Sequence, residues 1–397
     1  MRIFRYRIYV NLNIFMKEKI NLNKFELVFG KGTISAVISL SLSILSFLAV
    51  LAFYFPDYLT TPELRGFYSE SLARSLLFIG IISAAFFAIL NAILSKRLLF
   101  ASFSFVLLMV TVLLGGHTVP VGEVNSGNIY FGFDFFILNL ILFAFVFIFI
   151  EKTMGHDKEQ LIFRDEWQTD LAYFTFNHIL IGIFLVIVNT FVAQFEFAMY
   201  QPLQEFVSSL HFIVQFLLVM LVADLVQYWS HRAYHEIPFL WRFHAVHHSS
   251  EEMDWIAGSR VHVVELLLTR MLILLALVLC GFSLPVVNAY IAFVAFQAVF
   301  DHANVSVNPG WLRYVFVTPN FHHWHHSQDR EALDKNYAAH YSFLDYLFGT
   351  AVNSQKMWPE RYGVLGGYVP KGIFKQFFWP FKANVDAIKK HFEHKQK

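Results

Sequence analysis

The chain has 397 residues, of which 57% are hydrophobic and only 15% are charged, and 47 residues are phenylalanine. This composition is far from that of a soluble protein and places the chain in a lipid bilayer. The formal net charge of +1 offers no basic face, so we expect no nucleic-acid partner. The one cysteine, Cys280, excludes an internal disulfide and a thiolate-rich metal site, so a bound metal needs nitrogen or oxygen ligands.

Long apolar segments alternate with short polar loops along most of the chain. A helix needs about 20 apolar residues to cross the hydrocarbon core of a bilayer. Segments of about that length lie at 33 to 55, 72 to 94, 98 to 116, 130 to 150, 171 to 194, 208 to 229, 262 to 281 and 284 to 300. The sequence therefore predicts an all-α, polytopic membrane helical bundle of about eight spans. No small-residue cleavage pattern follows the first span, so we expect it to be retained.

The distribution of basic residues predicts which loops face the cytoplasm. The N-terminus and the loops near Lys96 and Lys152 are basic, whereas loops 117 to 129 and 195 to 207 contain no Lys or Arg. Since cytoplasmic loops carry the excess of Lys and Arg, we expect both termini and the polar region after Ser230 to be cytoplasmic. The membrane is then a bacterial inner membrane or an ER-type membrane.

We divide the chain into three predicted parts. Residues 1–165 form an N-terminal membrane helical bundle, residues 166–350 form the catalytic domain, and residues 351–397 form a C-terminal cytoplasmic or interfacial tail. The first boundary lies in a charged loop. In the tail, aromatic residues 377–379 lie between lysines, a pattern that fits either an interfacial segment or plain packing.

Twelve of the 18 histidines lie between His231 and His340. Eight of them form three groups with the spacings i, i+4 or i, i+3, i+4, namely His231 and His235, then His244, His247 and His248, then His322, His325 and His326. On a helix these spacings place the imidazoles on one face, about 5–6 Å apart at the Cβ atoms. Each group is therefore interpreted as one side of a metal cage in the cytoplasmic, helical cap of the bundle.

The last two apolar segments lie between the second and third histidine groups. They predict a membrane hairpin, which returns the third group to the same membrane face as the second. His302 lies at the end of the returning segment and is predicted as a ninth ligand. Nine nitrogens suffice for a di-metal site with four or five nitrogens for each metal, and this number favours iron over structural zinc, which closes at four. Neutral imidazoles also leave the ions their positive charge, which suits chemistry with O2.

Three carboxylates lie in or at the ends of the predicted spans, close to the histidines: Asp224, Glu265 and Asp301. An acidic group in a membrane segment is costly, and function is its default explanation. We therefore expect these carboxylates to orient imidazole N–H groups of the ligands.

Three further histidines near the cage are not assigned as ligands. His262 either caps the seventh span or hydrogen-bonds a ligand. His323 is out of phase with its group and is interpreted as a neighbour of the cage. His340 either contacts substrate or metal or packs beside Asp345. The isolated histidines of the spans, such as His178, are interpreted as core residues.

Four sequence phrases resemble the fatty acid hydroxylase / sterol desaturase superfamily. They are Tyr-Trp-Ser-His-Arg-Ala-Tyr-His (228 to 235), Leu-Trp-Arg-Phe-His-Ala-Val-His-His-Ser-Ser (240 to 250), Thr-Pro-Asn-Phe-His-His-Trp-His-His-Ser (318 to 327) and Asn-Tyr-Ala-Ala-His-Tyr-Ser-Phe-Leu-Asp-Tyr-Leu-Phe-Gly-Thr (336 to 350). The resemblance covers roughly residues 165 to 350. It implies iron bound by the eight grouped histidines and His302, and O2-dependent oxidation of a lipid. Some relatives carry another histidine four residues before the one that corresponds to His302, and this chain has Ala298 at that place.

We accordingly predict a membrane-bound di-iron monooxygenase or desaturase of lipid metabolism, with two iron ions (Fe2+/Fe3+) as cofactor and O2 as co-substrate. A sterol, a fatty acyl or sphingoid chain, an ether lipid and a carotenoid all remain open as the membrane lipid substrate. The sequence shows no flavin, haem or nicotinamide site. Electrons are therefore expected from a separate donor, such as a ferredoxin or a cytochrome b5-like protein with its reductase.

Two alternatives use the same histidines differently. A membrane zinc-dependent hydrolase of the HExxH kind needs a glutamate directly after the first histidine, and Arg232 occupies that place. A non-enzymatic metal transporter or sensor predicts histidines along a path inside the spans, whereas these are expected at one membrane face.

Overall fold

The computed structural model describes residues 6–8, 25–27, 32–62, 64–65, 69–94, 99–122, 130–195, 198–352, 357–382 and 388. Over these residues the chain is helical, apart from one short antiparallel ladder between β1 (Tyr6–Ile8) and β2 (Phe25–Leu27). The helices are α1 (Thr33–Tyr54), α2 (Pro56–Leu59), α3 (Glu70–Leu94), α4 (Leu99–Leu113), α5 (Phe133–Met154), α6 (Trp167–Ile179), α7 (Ile181–Ala193), α8 (Gln201–Ser209), α9 (Phe212–Glu236), α10 (Pro238–His247), α11 (Val263–Cys280), α12 (Leu284–His302), α13 (Pro319–His325), α14 (Phe343–Phe348) and α15 (Ile373–Lys382). The predicted all-α class is confirmed.

Seven helices within the described ranges are long and apolar enough to cross a membrane. They are Ile34–Tyr54, Glu70–Leu94, Leu99–Thr118, Phe133–Met154, Phe212–Glu236, Val263–Cys280 and Leu284–His302. The predicted span 171 to 194 is instead divided at Leu180 between α6 and α7, each of 13 residues. A helix of that length rises about 20 Å, which is less than the hydrocarbon core of about 30 Å. The eighth predicted span is therefore not confirmed.

The polar end of α6 explains part of this difference. Asn177 donates from Nδ2 to the carbonyl oxygens of Ser259 and Val261, at 3.3 and 3.2 Å. This holds the last turn of α6 against the loop before α11.

The chain divides into two compact units, residues 1–137 and 138–397, and the division falls within α5. In the first unit α1 packs against α3 and α4. The contacts use small polar groups, since Ser39 Oγ lies 3.1 Å from Ser104 Oγ and Asn91 Nδ2 donates to the carbonyl of Gly32 at 2.8 Å. Small side chains allow the close helix approach that is common in bilayers. The predicted domain boundary near residue 165 stays a prediction.

In the second unit α9 packs against α10, α11 and α12. The predicted hairpin is present, because α11 ends at Cys280, Gly281 adopts a φ of 78°, and α12 begins at Leu284. A Cβ atom on Gly281 would lie 2.5 Å from the Cα atom of Gln204, so no larger residue fits this turn. The hairpin thus returns the chain to the end of α9 that carries histidines.

A buried ion network fixes the loops beside α10. Arg164 donates from Nη2 to Asp170 and to Asp254, at 2.6 Å in both cases, and Arg260 donates from Nε to Asp170 at 2.5 Å and from Nη1 to Glu166 at 3.0 Å. The arginines and aspartates are buried. Buried charges of this kind need their partners, since removing one leaves an uncompensated charge. The network therefore holds α6 and residues 249–262 in one arrangement.

Candidate metal centre

Four helix ends bring the predicted histidine ligands together. His231 and His235 lie in the last two turns of α9, and His302 is the last residue of α12. The other six lie in or directly after the short helices α10 and α13, at His244, His247, His248, His322, His325 and His326. Pro238 and Pro319 each occupy the first turn of their helix, where a proline stabilises the helix start.

All nine histidines converge, in two sets whose candidate ligand nitrogens lie within 4.8 Å of one another. The five-histidine group consists of His231, His235, His244, His248 and His325. The four-histidine group consists of His247, His302, His322 and His326. The groups are adjacent, because the rings of His248 and His326 are stacked with their centroids 4.4 Å apart.

In the five-histidine group the Nε2 atoms face one another. His244 Nε2 lies 3.0 Å from the Nε2 atoms of His231 and His248, and His235 Nε2 lies 3.1 Å from that of His248. His325 Nε2 is buried and has no hydrogen-bond partner within the described part of the chain. Its ring centroid is 4.4 Å from that of His231 and 4.6 Å from that of His248.

The four-histidine group has the same character. His302 Nε2 lies 3.3 Å from His247 Nε2 and 3.0 Å from His322 Nε2. His326 Nε2 lies 3.1 Å from His322 Nε2. His247 comes from α10, His322 and His326 lie four residues apart at α13, and His302 comes from the end of the returning span.

The tautomers show that these nitrogens suit a cation. His247 and His302 donate their Nδ1–H groups to the carbonyl oxygens of Arg260 and Ala298, at 3.2 and 2.7 Å. A neutral imidazole has one N–H, so both Nε2 atoms present lone pairs to each other. Two lone pairs 3.3 Å apart repel, and a metal ion bound by both removes this repulsion. The donor set therefore fits a metal.

Burial keeps the imidazoles in the metal-binding form. Five of the histidines outside the spans have a pKa well below the usual value, namely His247, His248, His322, His325 and His326. The main cause is desolvation by burial, and mutual repulsion among the histidines adds to it. These rings are neutral at pH 7, and neutral imidazole is the form that binds metal.

Hydrogen bonds at Nδ1 hold most of the rings in place. Carbonyl oxygens of Tyr337 and Lys335 accept from His231 and His325, both at 2.8 Å. Carboxylates serve two other members of the five-histidine group: Glu265 Oε1 lies 2.7 Å from His244 Nδ1, and Asp334 Oδ1 lies 3.2 Å from His235 Nδ1. Such outer partners fix the orientation of a ligand ring and raise its basicity. The expectation for Glu265 is thus met in geometry.

The expectation that Asp224 orients an imidazole is wrong. Its two oxygens accept the backbone N–H groups of Ala339, His340 and Tyr341, at 2.6 to 3.0 Å. Asp345 accepts the N–H groups of Tyr337 and Ala338 in the same way. The two aspartates therefore hold the loop whose Tyr337 carbonyl receives His231, and Asp224 acts one step away from the ring.

Asp301 likewise contacts no ligand ring, although it precedes His302. It is buried, and its Oδ1 has no hydrogen-bond partner among the described residues. Its expected role in orienting an imidazole is therefore corrected.

The three unassigned histidines lie outside both groups. His262 accepts the N–H of Val264 and lies 3.0 Å from the carbonyl oxygen of Phe377, so it caps α11 rather than supporting a ligand. His323 contacts the carbonyl oxygen of His302 at 3.1 Å and the hydroxyl of Tyr362 at 2.9 Å, as expected for a neighbour of the cage. His340 contacts Gln297 and Tyr290 instead of Asp345 or the nitrogens of the two histidine groups.

Sequence reasoning missed Asp334 and the carbonyl acceptors. Asp334 and Asn336 have φ values of 57° and 56° and flank Lys335, whose carbonyl receives His325. Asp and Asn tolerate this left-handed backbone better than other side chains. The sequence Asp334-Lys335-Asn336 could have indicated a turn with left-handed backbone. It does not indicate that this turn faces the rings of His235 and His325.

Comparison with known proteins identifies this region. The fatty acid hydroxylase family matches residues 216–350, which contain all nine histidines. This segment is a fatty acid hydroxylase domain. The predicted resemblance is confirmed.

The chain is also similar to curated lipid enzymes. It is 35% identical over 167 residues to an ornithine lipid hydroxylase of Rhizobium tropici, which covers 42% of this chain and 50% of that protein. It is 34% identical over 128 residues to an alkylglycerol monooxygenase of Homo sapiens, covering 32% of this chain and 28% of the relative. A very-long-chain aldehyde decarbonylase of Oryza sativa is 30% identical over 138 residues, covering 32% and 22%.

The chain thus spans half or less of the length of these relatives. No solved structure matches it. With its apolar helices of spanning length, the chain is an integral membrane protein.

Proposed function

We propose that this protein is a membrane-bound, O2-dependent oxidoreductase that hydroxylates or desaturates a membrane lipid at a pair of iron ions. The observation that carries the proposal is the convergence of nine buried histidines into two adjacent groups within a fatty acid hydroxylase domain. The proposed ligands are His231, His235, His244, His248 and His325 for one ion and His247, His302, His322 and His326 for the other. Bound iron would supply the O2-dependent oxidation of an unactivated C–H bond, which acid–base chemistry cannot attack.

The residues of this chain bind and orient the ions and exclude water from them. Helical spacing brings the rings together, and Nδ1 acceptors such as Glu265, Asp334 and the carbonyl of Tyr337 hold most of the rings at a set angle. Burial of all nine side chains keeps solvent out. Exclusion of water protects a reactive oxidising centre from side reactions.

The hydrolase alternative lacks a general base at the expected place. Arg232 follows His231, and its guanidinium points away to pair with Glu236 at 2.7 Å. The transporter alternative needs histidines along a path through the spans. Here His231, His235 and His302 lie in the terminal turns of their helices, and the other six lie outside the candidate spans.

Similarity to an ornithine lipid hydroxylase and an alkylglycerol monooxygenase supports a lipid substrate and favours hydroxylation. We propose that the lipid enters laterally from the bilayer, with the reacting carbon placed next to the cage. A separate one-electron donor, a ferredoxin or a cytochrome b5-like protein with its reductase, would dock on the cytoplasmic face. The cytoplasmic placement of both termini and of the site is part of this proposal.

The decisive test is lipid analysis of a host that expresses either the unaltered protein or His244→Ala, grown under 16O2 or 18O2. We expect a lipid that gains one oxygen atom derived from O2, or loses two hydrogens, only with the unaltered protein. His211→Asn is the matched control, because His211 caps α9 outside the cage and Asn is a good N-cap. Oxygen derived from water, or an undiminished product in His244→Ala, would refute the proposal.

A further inference from the structure

The C-terminal helix α15 lies outside the matched domain and is held on one side by residues that neighbour the cage. Gln376 is fully buried and donates from Nε2 to Ser249 Oγ at 3.1 Å. The carbonyl oxygen of Phe377 lies 3.0 Å from Nε2 of His262, the residue that caps α11. These contacts determine which face of α15 points inward.

The next face of α15 is apolar and exposed. Phe374, Phe378 and Phe381 follow the spacing i, i+4, i+7, which places them on one stripe. Their exposed fractions are 83%, 56% and 61%. A stripe of three phenylalanines open to this extent is unusual on a surface that faces water.

One end of the stripe, at Phe381, lies next to the start of a candidate span. The ring of Phe381 packs edge-to-face with the rings of His262 and Phe243, with centroid distances of 6.0 and 5.6 Å. His262 directly precedes Val263, the first residue of the candidate span formed by α11. The exposed phenylalanines are therefore continuous with the surface that enters the bilayer.

Basic residues border the stripe on its far side. Lys375 and Lys382 are exposed and lie seven residues apart, on the side of α15 opposite Phe377. A helix with an aromatic stripe bordered by lysines is typical of segments that lie in a membrane interface. The lysines then reach anionic headgroups while the rings enter the acyl boundary.

We propose that α15 lies in the plane of the membrane interface, with Phe374, Phe378 and Phe381 inserted among the lipids and Lys375 and Lys382 at anionic headgroups. The occupant of this face is the lipid bilayer. Because α15 is also tied to Ser249, directly after His248, it sets the depth of α10 relative to the bilayer surface. This placement is independent of the metal and of the lipid that is oxidised.

Depth-dependent fluorescence quenching tests the placement in the full chain. In a Cys280→Ser background, which removes the one natural cysteine, Phe378→Cys carries an environment-sensitive fluorophore in vesicles of phosphatidylcholine and phosphatidylglycerol. We expect acyl-chain-brominated lipid to quench this probe several-fold more than aqueous iodide does. Lys375→Cys on the same helix is the matched control, with the opposite order.

Phe374→Cys repeats the test at the most exposed ring of the stripe and covers the case in which Phe378→Cys does not fold. Equal quenching of the stripe and Lys375 probes by iodide, without quenching by brominated lipid, would overturn the proposal. Protection of the stripe from both quenchers would overturn it as well, since another protein surface would then cover the rings.

Discussion

The five-histidine group and the four-histidine group use the same side chain on neighbouring helices, but their surroundings differ. In the five-histidine group two rings face carboxylates, Glu265 and Asp334. In the four-histidine group the acceptors are the carbonyl oxygens of Arg260 and Ala298, and His322 and His326 have buried Nδ1 atoms without a protein partner among the described residues. Equal ligand type therefore does not imply equal sites.

The difference lies in charge and in ligand number. A carboxylate that accepts the N–H of a ligating imidazole makes the other ring nitrogen a stronger electron-pair donor to the metal. A carbonyl oxygen in the same place has a smaller effect. The five-histidine group also offers one more nitrogen. We therefore expect it to bind its metal more tightly, and the four-histidine group to be the more open position.

The largest expected effect comes from removing a ring from each group. His244→Ala removes the nitrogen that lies 3.0 Å from both His231 and His248, so about one equivalent of iron should remain per chain instead of about two. His322→Ala should do the same for the other group. Product formation should be lost in both, because chemistry at paired metals needs both ions. Metal analysis of the purified proteins measures this.

The two variants also test whether the groups are separate sites. Loss of both ions in both variants would show one cooperative cluster rather than two sites. Full metal content with full activity in either variant would contradict the ligand assignment.

The grouping of the candidate ligands was predictable because its signal is local. His244, His247 and His248 share one helix face at spacings that the sequence displays directly, and α13 repeats the pattern. For the same reason, seven of the eight predicted spans correspond to helices that are long and apolar enough to cross a membrane. The break between α6 and α7 was not predictable, because most of the segment is apolar and the partners of Asn177 lie more than 80 residues away.

The outer partners were harder to predict because they depend on tertiary folding. Asp224 lies two turns before His231, which indicates its helix but not that residues 339–341 fold over it. Asp334 reaches His235 across 99 residues of sequence. Glu265 was found because a carboxylate in an apolar span needs a reason to be there.

Glu265→Gln sharpens the comparison between the groups at the next level of effect. Glutamine keeps the size of the side chain and removes the carboxylate that faces His244. We expect metal affinity at the five-histidine group to fall about 10- to 100-fold, with the other ion unchanged. Chelator competition followed by metal analysis measures this. Glu251→Gln is a surface control. An unchanged affinity for both ions in Glu265→Gln would contradict the role of Glu265.

Asp334→Asn should have a smaller effect in the same direction, below about 10-fold. The Asp334 side chain is 28% exposed and lies 3.2 Å from His235 Nδ1, so solvent weakens its influence. Asparagine tolerates the left-handed backbone at this position, so the change isolates the charge. The same chelator competition should rank Glu265→Gln above Asp334→Asn, and the reverse order would show that burial does not control the effect.

His340→Gln should leave the metal content unchanged. His340 is buried beside the cage, but its ring nitrogens contact Tyr290 and Gln297, at 3.1 and 2.8 Å, and belong to neither group. Loss of these hydrogen bonds should lower the free energy of unfolding by about 1–3 kcal/mol. Thermal unfolding and metal analysis of the same preparation separate the two outcomes. If iron content fell while the fold remained intact, His340 would be an additional ligand, and the difference in ligand number between the two groups would no longer hold.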